Sequence, residues 1–240
     1  IDDEDLRRSY LDVVYEKMAR DYPLEAFEKQ LANRTDSKID SKDIRRLKAI
    51  AKDDLKAALR ILGNATDETS RRSIALAIAA QYAAQEPAQA LEWVQSQPAA
   101  DRKQLLKAVI GSVASIDAEL ALEAAQQQKN QVQRNQLIRS VVKTVAKQSP
   151  RDAANLLEGI EQKSDRIVAA SAIAKDWLKK DTSAAIDWLL NTDAEVSDAI
   201  FKDRFAAKQI QLDEAQAIVA ALPEKYRATW ARAVADRLTK

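Results

Sequence analysis

Apolar residues recur along this chain at three- and four-residue steps, in a long run, a break and then a short run. One-sided stripes of that period belong to amphipathic helices. The clearest copy runs from Arg72 to Ala83 with Ile74, Leu76 and Ile78, breaks at Gln85-Glu86-Pro87, and resumes over Ala88 to Val94. Further long stripes are Leu105, Leu106, Val109, Ile110 and Val113; then Ile138, Val141, Val142 and Val145; then Ile167, Ile173 and Trp177. The pattern predicts a series of long-helix, break, short-helix units.

Taking the break residue as an anchor, equivalent positions fall at Pro23, Asp54, Pro87, Asp117, Pro150, Asp181 and Leu212, spaced 31, 33, 30, 33, 31 and 31 residues. Three residues past each anchor stand Ala26, Ala57, Ala90, Leu120, Ala153, Ala184 and Ala215. Proline at a first helical position gives up an amide that has no partner there anyway, and aspartate caps such amides and complements the helix dipole. Each anchor therefore starts a second helix, and the small residue after it lets that helix approach its partner. No single pair can bury its apolar stripe, whereas stacked pairs bury a continuous core.

The expected fold is all-α, a right-handed α-α superhelix of about seven helical hairpins with a period of about 31 residues, forming one domain over residues 1–240. The segment 224–239 follows Pro223 and aligns Tyr226, Trp230, Val234 and Leu238 on one side, as a capping helix or truncated repeat. Ala32 to Lys42 is polar and aperiodic and reads as a loop. Gly63-Asn64-Ala65-Thr66-Asp67 reads as a helix end followed by a cap, and any sub-boundary is expected at residues 63–69.

In unit length and in the small residues of Pro87-Ala88-Gln89-Ala90 and Pro150-Arg151-Asp152-Ala153, the chain resembles the tetratricopeptide-like superfamily of helical-hairpin solenoids. It departs from that pattern in a period shorter than about 34 residues, in a short second helix, and in lacking the family's Trp, Gly and Tyr positions. The resemblance implies a superhelical stack with a concave protein- or peptide-binding face and carries no individual residue with it.

Composition narrows the chemistry. Gly occurs 3 times and Pro 5 times among strong helix formers, which argues against a β-rich fold. Lys and Arg number 38 against 37 acids, so no strong field gathers a polyanion. Without cysteine or histidine the chain has no thiol chemistry, disulfide, zinc-finger pattern or imidazole base. No GxGxxG, GKS or GKT, or nucleophile elbow occurs, and no cofactor is expected. The longest apolar stretch, around residues 74–84, is too short to span a bilayer. Because the chain opens on Ile1, we expect a mature or excised part of a longer polypeptide, with membrane contact only through a segment outside it. The lack of cysteine tips the expected compartment toward a bacterial periplasm over the cytoplasm.

Four constellations carry candidate chemistry. Arginines recur fifteen residues before an anchor at Arg8, Arg72, Arg102 and Arg166, with Arg134 displaced by one. Such a ladder suits acidic segments or peptide carboxylates in a groove. The favoured alternative is that each arginine ties its repeat to the carbonyl end of the preceding short helix or to acids such as Glu92 or Glu158. Lys103, Lys107, Arg139, Lys143, Lys147, Lys175 and Lys179 form either a basic stripe or, better, a solvated face balanced by Glu119, Glu123, Asp152 and Asp176. Of Trp93, Trp177, Trp188 and Trp230, at least three are expected in the core, with Trp188 and Trp230 the candidates for exposed interface anchors. Asp2-Asp3 and Asp53-Asp54 read as helix-start acids, because adjacent helical residues diverge by about 100°. Asn33-Arg34-Thr35 and Asn64-Ala65-Thr66 match the glycosylation acceptor pattern, a short match expected by chance.

The leading expectation is a non-catalytic protein-interaction or scaffold solenoid of bacterial type, with Arg72, Arg102, Arg134, Arg166, Trp188 and Trp230 as partner-binding candidates. The alternatives are the superhelical part of a larger enzyme such as a lytic transglycosylase, and a HEAT-like nucleic-acid binder that the balanced charge disfavours.

Overall fold

The computed structural model describes residues 4–32, 39–202, 216, 219–220 and 222–238, and among these every regular element is a helix. The expected anchor Leu212 with Ala215, the pair Asp2-Asp3 and the motif Asn33-Arg34-Thr35 lie outside the described residues, as do the side chains of Arg8, Val234 and Leu238. The chain forms two compact units, Ile1–Val113 and Ala114–Lys240. The break at Gly63 to Asp67 lies within the first, where α4 ends at Gly63 and the Asp67 side chain accepts from the Ser70 amide at 2.8 Å to start α5.

The first unit contains α1 (Glu4–Asp21), α2 (Pro23–Ala32), α3 (Ser41–Asp53), α4 (Leu55–Gly63), α5 (Glu68–Gln85), α6 (Pro87–Ser96) and most of α7 (Ala99–Ile116). Within it α1 packs on α2, α3 on α4 and α5, α4 on α5, and α5 on α6. The polar stretch before α3 ends in a capping box: Asp40 Oδ1 accepts from the Asp43 amide at 2.9 Å, and Asp43 Oδ2 accepts from the Asp40 amide at 3.0 Å. The core is aliphatic, with Leu47, Ala51, Ile61, Ile74 and Ile78 all at 3% exposure or less.

The second unit contains α8 (Ala118–Gln126), α9 (Gln131–Gln148), α10 (Pro150–Asn155), the 3-10 turn η1 (Leu156–Gly159), α11 (Lys163–Lys180), α12 (Thr182–Asn191), α13 (Ala194–Phe201) and α14 (Glu224–Leu238). Here α9 packs on α8, α10 and α11, and α11 packs on α12 and α13. Ile138, Val141, Val142, Ile173 and Leu178 are fully buried between them.

The helix starts correct the register expected from sequence. The short helices begin at Pro23, Leu55, Pro87, Ala118, Pro150 and Thr182, which are 32, 32, 31, 32 and 32 residues apart. The uneven spacing of the sequence anchors arose because the prolines occupy the first helical position while Asp54, Asp117 and Asp181 are caps one residue earlier. In the corrected register the fourth residue of all six is alanine: Ala26, Ala58, Ala90, Ala121, Ala153 and Ala185, each at 1% exposure or less. A larger side chain there would meet the neighbouring helix in a close-packed interior.

One residue links each long helix to its short partner, and its backbone is nearly constant. At Asp54, Glu86, Asp117, Ser149 and Asp181, φ lies between −152 and −137 and ψ between 74 and 109. Four of these amides donate back to the long helix: Asp54 to Ile50 O at 2.7 Å, and Glu86, Ser149 and Asp181 to Tyr82, Val145 and Trp177 carbonyls at 2.9 Å. All but Glu86 also cap forward through the side chain, with Asp54, Asp117 and Asp181 accepting from Ala57, Leu120 and Ala184 amides at 2.9 to 3.0 Å and Ser149 from the Asp152 amide at 3.2 Å. A single residue thus closes one helix and opens the next. The long partners α1, α5, α7, α9 and α11 are each 18 residues.

Candidate functional site

The arginine series does two structural jobs. Arg102, Arg134 and Arg166 are each the fourth residue of a long helix, and Arg72 is the fifth. Arg102 Nε donates to Gln97 O at 2.7 Å, at the end of α6, and Arg134 Nη1 donates to Gln128 O at 3.0 Å, just past α8. These bonds satisfy carbonyls that a helix end leaves open. Arg227, the fourth residue of α14, hooks Leu222 O at 2.7 Å in the same way and was missed in the sequence reading. The second job is a tie to the next long helix. Arg134 Nε donates to Asp165 Oδ2 at 2.8 Å, and Arg72 Nε donates to Asp101 Oδ1. Asp101 and Asp165 are both third residues of their helices and both buried. They, rather than Glu92 or Glu158, are the acids that pair with the series.

Arg134 sits at the centre of a closed network. Its Nη2 donates to Gln162 Oε1 at 2.9 Å and to Gln131 Oε1, and Gln131 Nε2 donates in turn to Asp165 Oδ1 at 2.9 Å. A buried guanidinium paired this way is not offered to a ligand, so Arg134 is removed from the partner-binding candidates. Arg166 is half-buried, and its enclosed Nε has no hydrogen-bond partner among the described residues. Arg72 retains 41% exposure of its side chain, and Arg102 is exposed.

Trp230, expected as an exposed anchor, is fully buried. Its Nε1 donates to Phe201 O at 2.8 Å and its ring meets Phe201 edge-on at 5.6 Å. Phe201 also stacks on Tyr226 at 4.7 Å, so the i+4 aromatic stripe of α14 is the seal between α13 and α14. At the rim Asp198 accepts from Lys225 Nζ at 2.7 Å, from Tyr226 and from Lys202 Nζ at 2.9 Å. These three donors, Lys225 foremost, hold its carboxyl well below the usual range.

Trp188 is half-buried and stacks on buried Trp177 at 5.4 Å and 24°. Above the pair lies a cleft of about 560 Å³, walled by Arg151, Asp152 and Asn155 of α10 and by Asp187 and Asn191 of α12. The first unit has a related pair: Tyr82 meets Trp93 at 5.5 Å and 51°. Both pairs join the fifteenth residue of an 18-residue helix to the seventh of its short partner. Burial, with Glu86 and Glu92 nearby, raises the Tyr82 hydroxyl above its usual range.

Arg139, Lys143 and Lys147 are exposed on α9, whereas Lys175 and Lys179 have interaction partners. Among the described residues an exposed apolar stripe runs along α1, where Leu6, Tyr10, Val13 and Val14 are 55%, 72%, 51% and 40% exposed. Among the described residues no group of three His, Cys, Asp or Glu is placed to hold a metal, and no helix is long and apolar enough to cross a membrane.

These features define an all-α protein of paired long and short helices. No protein-family model, curated protein or solved structure matches the chain.

Proposed function

We propose that the chain is a non-catalytic α-solenoid of about seven helical hairpins that binds a protein partner. The observation that carries this reading is the constancy of the hairpin: a start every 31 or 32 residues, one linking residue of nearly constant backbone, and a buried alanine at the fourth position of six successive short helices. A unit this regular buries its core chiefly against its neighbours, and stacks of such units present extended binding surfaces.

The exposed stripe on α1 favours a protein as the partner. Third, seventh, tenth and eleventh residues are buried in α5 as Ser70, Ile74, Ala77 and Ile78, and in α11 as Asp165, Ala169, Ala172 and Ile173. The same positions of α1 are the exposed Leu6, Tyr10, Val13 and Val14. A face apolar enough for a helix interface and open to solvent marks an interaction site.

Two measurements test the reading. Small-angle scattering reports the shape: a compact fold of this length has a radius of gyration of about 18 Å, and a stack must exceed it. Quantitative affinity capture from bacterial lysate, with the native chain and a Tyr10→Asp, Val13→Asp variant as baits, reports the partner. A compact radius, or identical capture by both baits, overturns the proposal.

A further inference from the structure

The cleft between α10 and α12 has a composition that packing the two helices does not require. Trp188 lines it together with Trp177, and the two rings stack on each other at 5.4 Å. Among the described residues the side chains of Arg151, Asp152, Asn155 and Asp187 make no hydrogen bond or ion pair. Asn191 donates from Nδ2 to Asp187 O at 2.7 Å, which fixes its amide plane and leaves its oxygen as an acceptor. A fixed aromatic platform is therefore ringed by planar polar groups facing solvent.

We infer that this cleft binds an extended peptide segment of the protein partner by laying a lysine or arginine side chain on Trp188. Three features select that occupant. The amides of Asn155 and Asn191 carry donor and acceptor atoms that match the backbone of a chain with no internal hydrogen bonds. The lining carries two carboxylates, Asp152 and Asp187, and one guanidinium, Arg151, so it has an excess negative charge that complements a cation. The indole face attracts the same cation, whereas an apolar side chain would desolvate the carboxylates without replacing their hydrogen bonds. A volume of about 560 Å³ takes one long side chain with the adjoining backbone.

The inference rests on the protein-binding reading but fails separately from it. Positional-scanning pools of eight-residue peptides, acetylated and amidated, with one fixed central residue, are titrated against the purified chain and followed by fluorescence polarisation. Pools fixed as Lys or Arg are expected to bind about ten-fold tighter than pools fixed as Glu. That preference is expected to vanish in Asp187→Lys, whose substituted side chain is exposed, and binding is expected to be lost in Trp188→Ala. Absence of the preference in the native chain, or its survival in Asp187→Lys with helical circular dichroism unchanged, overturns the inference. Lysate capture that Asp187→Lys leaves intact while the α1 variant abolishes it leaves the protein-binding reading standing and removes only the cleft.

Discussion

Arg72 and Arg134 both tie a long helix to a buried aspartate at the third position of the next, yet the two ties differ in kind. In the first unit Arg72 is 41% exposed, and beyond Asp101 it reaches, among the described residues, Glu68 of its own helix at 3.3 Å. In the second, Arg134 is 10% exposed, Asp165 is 1% exposed, and two glutamines and a carbonyl complete the donor set. The difference lies in what surrounds each guanidinium and not in helix register alone. Arg72 is fifth in its helix and Arg134 fourth, yet Arg102, also fourth, is exposed, whereas Gln131, Gln162 and the Gln128 carbonyl close around Arg134. The same charge pair is thus a surface link in one unit and a buried network in the other.

Breaking the buried tie gives the largest effect. Arg134→Met leaves Asp165 uncompensated and is expected to cost about 3 to 5 kcal/mol, read as lost hydrogen-exchange protection in α9 and α11. Adding Asp165→Leu to Arg134→Met should recover much of that loss, because the stranded charge goes with it. If Arg134→Met is neutral, the network has no structural weight and the contrast with Arg72 collapses. Next come the small positions of the short helices. Ala153→Leu and Ala90→Leu each force a larger side chain into a site with no exposure and should cost about 1 to 3 kcal/mol in urea denaturation, by similar amounts in the two units. A large effect at one and none at the other would show that the two hairpins are not equivalent.

The helical period and the breaks were legible in the sequence because apolar stripes and Pro or Asp starts follow from local chemistry. The register was not fully legible. A proline marks the first helical position and an aspartate the residue before it, so treating Pro87 and Asp117 as equivalent shifted every second unit by one. That shift made Arg134 look displaced, when it is Arg72 that departs from the column of Arg102 and Arg166. The ties were hidden for another reason. Asp101 and Asp165 look like helix-start acids, and only packing places them 29 and 31 residues from their arginines inside the protein. Trp230 carried no signal that separates an interface anchor from a core ring, since its deciding partner is the Phe201 carbonyl.

The exposed tie bounds the comparison from below. Arg72→Met should cost less than Arg134→Met, because water screens the 41% exposed guanidinium even though its partner Asp101 is buried. A loss equal to that of Arg134→Met would mean that exposure of the arginine does not separate the two sites.

The smallest expected effect is a pH dependence at the seal of α14. Asp198 is held below its usual range by Lys225, then Tyr226, then Lys202. A depressed carboxyl contributes stability that is complete above its unfolded value, about 3.9, and is lost as pH falls toward the lower folded value. The melting-temperature gap between the native chain and Asp198→Asn should therefore stay constant from about pH 7 to pH 5 and close only below about pH 4. A gap that closes near neutrality would place the titrating group elsewhere. Because Asp198 is joined to two cations at an exposed rim, added salt should narrow the same gap at neutral pH, whereas salt should leave the Arg134 network nearly unchanged. The charge pairs of this chain are then ordered by burial, from Arg134 with Asp165 through Arg72 with Asp101 to the Asp198 rim, rather than by how many partners each one has.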